Sequence, residues 1–447
     1  MKFNKWTMGL AAVGVVSLAS AALADEKPSA LNTALSNTTI SGYVDTAAQW
    51  NLGSQNSGMT PAYAFGGSGK ADGFNLNSVD IALDKPMDEA PWAAGYHAEL
   101  MFGPDATPGV TTSTSVRRTT ISSANSSTAI RQAYLALRTP IANTGIDWKF
   151  GVWDSPLGYE STTDGANPNY TRSYGYTMEP TTYTGLLGTF KVNDMVSLWA
   201  GIADSSYVSA LGYTAGATPI NGRNVQESLK AYMGGVTFTA PDSWGWAKGT
   251  TMSAGIVNNI DGPHAGQYSM GSANYGTTSF YAGITAATPL TALKVGAAFD
   301  WLDVHDSASS LGNSDSSLWC AGLYANFQAN DKLSFNGRAE HLAVNNTPLT
   351  ADELTATVQY NLWANVISRV EFRVDHLEHT YSTYSSSYYS SVSGSRYGGY
   401  GSSSSSALGF DNSTVGIAGS DGYYDTVQFI GIHQNAYMLA VNLIYQF

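Results

Sequence analysis

A single cysteine, Cys320, has no partner for an internal disulfide, so a disulfide scaffold is excluded. Charge is scarce as well: Asp, Glu, Lys and Arg make up 12% of residues, where a soluble domain carries about 25%. Lys and Arg total 21 against 34 acidic residues and form no clusters, which argues against nucleic acid as a partner. After the first 24 residues no apolar run reaches the length of about 18 that a transmembrane helix needs. No G-x-S-x-G elbow occurs, and Gly66-Gly67-Ser68-Gly69-Lys70 continues with Ala71 where a phosphate loop requires Ser or Thr. His376 and His379 are three apart, so on a strand they point to opposite faces and cannot share a metal. The sequence therefore gives no grounds for a catalytic residue, a metal ligand or a cofactor.

What the chain has in excess is Tyr, Trp and Gly, at 27, 11 and 46 residues. At its start, Lys2 and Lys5 precede an apolar run from Met8 to Ala19, followed by Ala22-Leu23-Ala24 and Asp25. A basic segment, a short apolar segment and a small-x-small cleavage site predict a secretory signal peptide over 1–24 and a mature chain from 25 to 447.

The clearest pattern lies at the other end. From Asn435 to Phe447 the odd positions read Tyr437, Leu439, Val441, Leu443, Tyr445, Phe447, while the even positions are mixed. Period-two alternation bounded by aromatics describes a transmembrane β-strand with one face to lipid and one to a lumen. The pattern recurs where Trp92, Ala94, Tyr96, Ala98, Leu100 and Phe102 oppose His97 and Glu99. It recurs again where Leu333, Phe335, Gly337 and Ala339 oppose Arg338 and Glu340, and where Val370, Phe372 and Val374 oppose Arg369, Glu371, Arg373 and Asp375.

Sixteen such runs are expected, near 38–52, 74–84, 92–103, 127–139, 145–153, 181–192, 196–207, 229–240, 248–260, 275–288, 290–304, 315–329, 331–345, 351–363, 365–379 and 433–447. An even number suits a single-chain antiparallel barrel, with 14 to 18 as the range left open. Connections alternate in length: those after even-numbered strands are short, and most after odd-numbered strands are long. Short turns at one end and long loops at the other predict an all-β transmembrane antiparallel barrel with periplasmic turns and extracellular loops.

Two loops stand out. The third long one, 154–180, carries Asp154, Glu160, Asp164, Arg172 and Glu179 among several tyrosines. A loop of this length that is not low-complexity is a functional candidate, here for folding inward as a constriction. It would face wall cations on the lumen parity, Arg138, Lys149, Arg338, Arg369 and Arg373, and so set a field across the pore. The alternative is that the loop covers the surface while these arginines pair with Glu340, Glu371 and Asp375. The second loop, 380–432, opens with a tract of Tyr, Ser and Gly that cannot bury a core. Trp50, Trp92, Trp148, Trp199, Trp301, Trp363, Tyr437 and Tyr445 are expected as interfacial belt anchors, with Phe447 closing the last strand.

Several segments resemble one family. They are Ile40-Ser41-Gly42-Tyr43-Val44-Asp45, Ser155-Pro156-Leu157-Gly158-Tyr159-Glu160, Asn167-Pro168-Asn169-Tyr170-Thr171-Arg172-Ser173-Tyr174, Trp363 to Asp375, and the Asn442-Leu443-Ile444-Tyr445-x-Phe447 end. Together they resemble the β-barrel porin-2 (OmpL-like) family. The resemblance implies an outer-membrane channel of the Gram-negative type and no particular substrate; the barrel itself is read as a passive channel for small hydrophilic solutes, in contact with outer-membrane lipids. It also implies recognition of an aromatic-ended last strand by the barrel-assembly machinery. A homotrimer is compatible with this class, though no sequence feature fixes it. Two other functions fit the same barrel: a surface or adhesion protein with a blocked lumen, and an outer-membrane barrel enzyme.

Overall fold

The computed structural model describes residues 37–52, 72–106, 128–141, 145–204, 206, 230–259, 275–306, 316–345, 350–378 and 435–447. The expected leader 1–24, the Gly66–Lys70 segment and the loop 380–432 lie outside the described residues, the first two wholly and the third in full.

Sixteen strands form one closed antiparallel barrel in which each strand pairs with its chain neighbours and β1 closes on β16. They are β1 (Thr39–Leu52), β2 (Gly73–Lys85), β3 (Ala94–Phe102), β4 (Thr128–Thr139), β5 (Ile146–Asp154), β6 (Thr182–Lys191), β7 (Val196–Ala203) and β8 (Ala231–Thr239). The second half comprises β9 (Thr251–Asn259), β10 (Tyr275–Ala287), β11 (Leu293–Asp306), β12 (Ser316–Gln328), β13 (Leu333–Val344), β14 (Thr350–Trp363), β15 (Val366–Glu378) and β16 (Asn435–Gln446). One short helix, α1 (Tyr174–Met178), sits in the loop between β5 and β6. All sixteen expected strands are present, their ends within a few residues of the expected ones.

The burial pattern inverts that of a soluble protein. Leu323, Leu354, Val370 and Phe372 are exposed on the outer wall, whereas Arg338, Arg369 and Arg373 are at most 1% exposed. Alternation produces this: along β16, Met438, Ala440, Asn442 and Ile444 point inward while Tyr437, Val441, Leu443 and Tyr445 point out. An outward apolar band and a polar interior are what a bilayer-spanning barrel requires. Trp50, Trp92, Trp363, Tyr437, Tyr445 and Phe447 are exposed near strand ends. Trp148 is half-buried, its indole N–H donating to Thr139 Oγ1 at 2.9 Å.

Trp199 breaks the expectation. It points into the barrel, 4% exposed, and its indole covers Gly235 and Gly255 on β8 and β9. A side chain at either glycine would occupy the space of the ring. Trp199 belongs to an inward cluster with Trp153, Leu157, Tyr183, Met233, Val257, Tyr281 and Tyr324, an aromatic and apolar patch on the inside of β5–β12.

Closure rests on Gly42 and Phe447, whose backbone groups exchange two hydrogen bonds of 3.0 Å, in line with the register Tyr43↔Gln446 to Leu52↔Tyr437. The turn end carries the connections 86–93, 140–145, 192–195, 240–250, 288–292, 329–332 and 364–365. The loop between β5 and β6 starts at the opposite end and enters the lumen, which fixes where the site must be sought.

Candidate functional site

The loop 155–181 has its own internal framework. Asn167 ties it together: its Nδ2 donates to the carbonyls of Ser161 and Thr163 at 2.7 and 2.9 Å, and its Oδ1 accepts from Ser161 N at 2.8 Å. Ser173 caps α1, its Oγ accepting from Tyr176 N at 2.9 Å. Gly158 adopts φ +120 with the Glu179 carboxyl against its Cα, a backbone conformation and a space that both require glycine.

Wall side chains on β13 and β15 bind this loop through its backbone. Glu371 accepts from the N–H groups of Tyr170 and Thr171 at 2.5 and 3.0 Å. Glu340 accepts from those of Tyr174 and Gly175 at 2.6 and 3.2 Å. Arg338 Nη1 donates to Thr171 O at 2.8 Å and Arg373 Nη1 to Arg172 O at 2.7 Å. Arg369 donates to the carbonyls of Asp164 and Asn167. The alternating Arg and Glu residues therefore act as a template for a loop that has no strand partner, answering its donors with carboxylates and its acceptors with guanidinium groups.

Side-chain pairs complete the docking. Arg338 meets Glu160 at 2.7 Å and Glu353 at 3.1 Å, with Glu340 at 3.7 Å, and Arg373 meets Asp375 at 2.7 Å. Asp164 holds Arg172 at 2.8 Å and accepts from Ser78 Oγ on β2 at 2.6 Å. Tyr170 OH donates to Gln49 on β1 at 3.1 Å. Burial pushes the Tyr174 phenol well up and the Asp375 carboxylate adds to the shift, so it donates, to Asp375 Oδ1 at 2.6 Å. On the apolar side, Leu157 joins the aromatic cluster and Tyr159 stacks on Tyr324 at 3.9 Å.

The structure thus brings Glu160, Asp164, Arg172, Arg338, Glu340, Arg369, Glu371, Arg373 and Asp375 together, though not across a gap. The loop lies in the lumen against the arginines rather than over the surface, and Arg338 and Arg373 also meet Glu340 and Asp375. Asp154 lies apart as the last residue of β5, and Arg138 pairs with Asp147 at 2.6 Å near the turn end, away from the loop.

Open space remains on the other side. A cavity of about 610 Å³ lies between the loop and β1–β5, lined among others by Asp80, Asp84, His97, Glu99, Arg131, Lys149 and Asp154. Arg131 joins Glu99 at 3.0 Å to Asp154 at 2.6 Å. His97 lies between Asp84 at 3.1 Å and Glu99 at 3.3 Å and stacks on Tyr134, whose other neighbour is the Lys149 ammonium at 4.7 Å from the ring centre. Arg131 escaped the sequence reading because a bulge between Glu99 and Leu100 shifts the β3–β4 register and turns an odd residue of β4 inward. Glu353 escaped it too, yet it stands opposite Glu340 in register, and two facing acids signal a shared cation.

The family described as "Putative beta-barrel porin-2, OmpL-like" matches residues 37–398. The chain belongs to this porin family. No curated protein sequence matches it. In fold the porin is similar to the outer membrane channel DcaP of Acinetobacter baumannii, at a TM-score of 0.54 and 11% identity over 94% of this chain and 100% of that one. It is similar to an anion-selective porin from Comamonas acidovorans, at 0.53 and 10% identity over 92% and 99%. Salmonella typhi OmpF, solved with daunomycin, aligns at 0.52 and 11% identity over 92% and 97%. The protein is a porin of the Gram-negative outer membrane, its outer wall in contact with lipid.

Proposed function

We propose that this porin passes small hydrophilic solutes and ions passively, with loop 155–181 as its constriction and the β1–β5 wall as the surface that screens them. The observation that carries the reading is the division of the lumen. The loop covers the arginine-rich wall of β13–β15, while the cavity lies against a wall bearing Asp80, Asp84, Glu99 and Asp154 with Arg131 and Lys149. Carboxylates outnumber cations there, which favours cation passage, since charges lining a narrow, low-dielectric path set its selectivity. This preference is opposite to the one in the name of the Comamonas porin.

The test is single-channel current of the refolded protein in a planar bilayer under a salt gradient. Discrete ohmic steps and a cation-selective reversal potential are expected, with Asp84→Asn reducing the selectivity and Arg131→Gln increasing it. Arg373→Gln, by contrast, acts through loop position, so it changes conductance more than selectivity. Silence from protein shown to be folded and inserted would sink the channel and favour a barrel with a blocked lumen. Phe447, paired with Gly42 at the turn end, is in this reading also the residue through which the assembly machinery recognises the strand end.

A further inference from the structure

Beside the apolar contacts of Leu157 and Tyr159, three polar sets hold the loop in the lumen, and they differ in kind. Towards β13–β15 the charges are balanced, acid against guanidinium. Towards β1 and β2 the contacts are hydrogen bonds from Tyr170 and Ser78. Towards β11, at the end of α1, they are two acids. Glu179 and Asp300 are 5% and 4% exposed, and their carboxyl groups lie within hydrogen-bonding reach of one another. No Lys, Arg or His pairs with either among the described residues.

A hydrogen bond between two carboxyl groups needs a proton that one of them keeps. The Tyr159 backbone N–H also donates to Glu179 and favours its charged form, but it is a single neutral donor. Glu160 lies near both, and Tyr281 on β10, Cys320 on β12 and Glu340 on β13 face the same space. The guanidinium that contacts Glu160, that of Arg338, is engaged by this acid and by Glu353. Gly175 leaves room for the arrangement: a Cβ there would stand 2.6 Å from Asp300 Oδ2. Gly158 does the same for the Glu179 carboxyl.

We propose that the Glu179–Asp300 pair is a proton-dependent latch that fastens loop 155–181 to the barrel wall and lets it go as pH rises. The inference rests on the porin reading only for its effect on current; the latch itself is a property of the loop. Burial, with the Asp300 carboxylate next in importance, pushes the Glu179 carboxyl well above its ordinary range in the docked loop. A group raised by docking contributes to docking in full below its ordinary pKa, about 4.3, and loses that contribution as pH rises through the docked value. When the proton leaves, two carboxylates face each other in a buried site and repel. The loop end at Glu179 is then driven from β11, while the contacts to β13–β15 remain.

The experiment is hydrogen–deuterium exchange of loop 155–181 in the refolded barrel between pH 6 and pH 9, corrected for intrinsic exchange, beside single-channel recordings over the same range. Each pKa unit by which docking raises Glu179 is tenfold in the docked-to-undocked ratio. Loop amides around α1 in the wild type should therefore lose protection by about tenfold or more, with larger or noisier current steps at high pH. Glu179→Gln replaces the shared proton with an amide N–H and should flatten both profiles. Asp300→Asn should do the same and serves if the first variant folds poorly, folding being read from heat-modifiable gel mobility. Equal loop protection at pH 6 and 9 in the wild type overturns the latch, as does a pH dependence that both variants retain. PH-dependent exchange in a barrel that never conducts keeps the latch and rejects the channel.

Discussion

Arg338 is the place to test how the loop is held. It is 1% exposed, and its guanidinium reaches Glu160, Glu353 and the Thr171 carbonyl within 3.2 Å. Arg338→Gln removes the charge and keeps most of the volume. Glu160, Glu340 and Glu353 are then left buried together, and breaking a buried pair in this way costs about 3–5 kcal/mol. The barrel does not bear that cost, because the main-chain pairing of β13 with β12 and β14 is independent of the side chain. Undocking the loop rehydrates Glu160 and admits water to the other two. At about 1.4 kcal/mol per tenfold, the undocked fraction rises by roughly 100- to 4000-fold. Hydrogen exchange of the peptide covering 169–179 measures the change directly, and single-channel conductance should rise with it. Arg338→Gln combined with Glu160→Gln removes one of the stranded carboxylates and should recover part of the loss. Unchanged exchange and conductance in the single variant would refute the claim that this arginine holds the loop.

Two further predictions concern the wall. Val370→Arg places a charge on the lipid-facing side at mid-strand and should lower unfolding stability by about 2–4 kcal/mol in denaturant titration of the bilayer-inserted barrel. Gly255→Ala forces the Trp199 ring off its seat and should cost about 1–3 kcal/mol, visible as a lower gel-mobility transition temperature. A smaller residue at Trp199 in the same background should recover stability.

The barrel was legible because a membrane wall leaves each strand two dissimilar faces, and a period of two is written residue by residue. Arg369, Glu371, Arg373 and Asp375 could be put on one face from spacing alone, and they share it. Their partner was not readable, since nothing in local spacing says that a loop some 200 positions away will lie across them. Arg131 shows a second limit: one bulge resets the parity on which the inward assignment depends. Trp199 shows a third. A tryptophan near a strand end reads as a belt anchor, and only the glycines opposite it on two other strands make room for it inside.

The pairing of β1 with β16 has a kinetic consequence. Thr46 and Leu443, opposite each other in that seam, are 397 positions apart. A chain emerging from its N-terminus offers the open edge of β1 long before its mate exists, and the entropy of joining such distant segments is met all at once, at the final step. Until then, two unsatisfied edges could accept any stray strand, including one from another copy. A protein built this way is expected to mature slowly and as a unit, and to need protection while the seam is open.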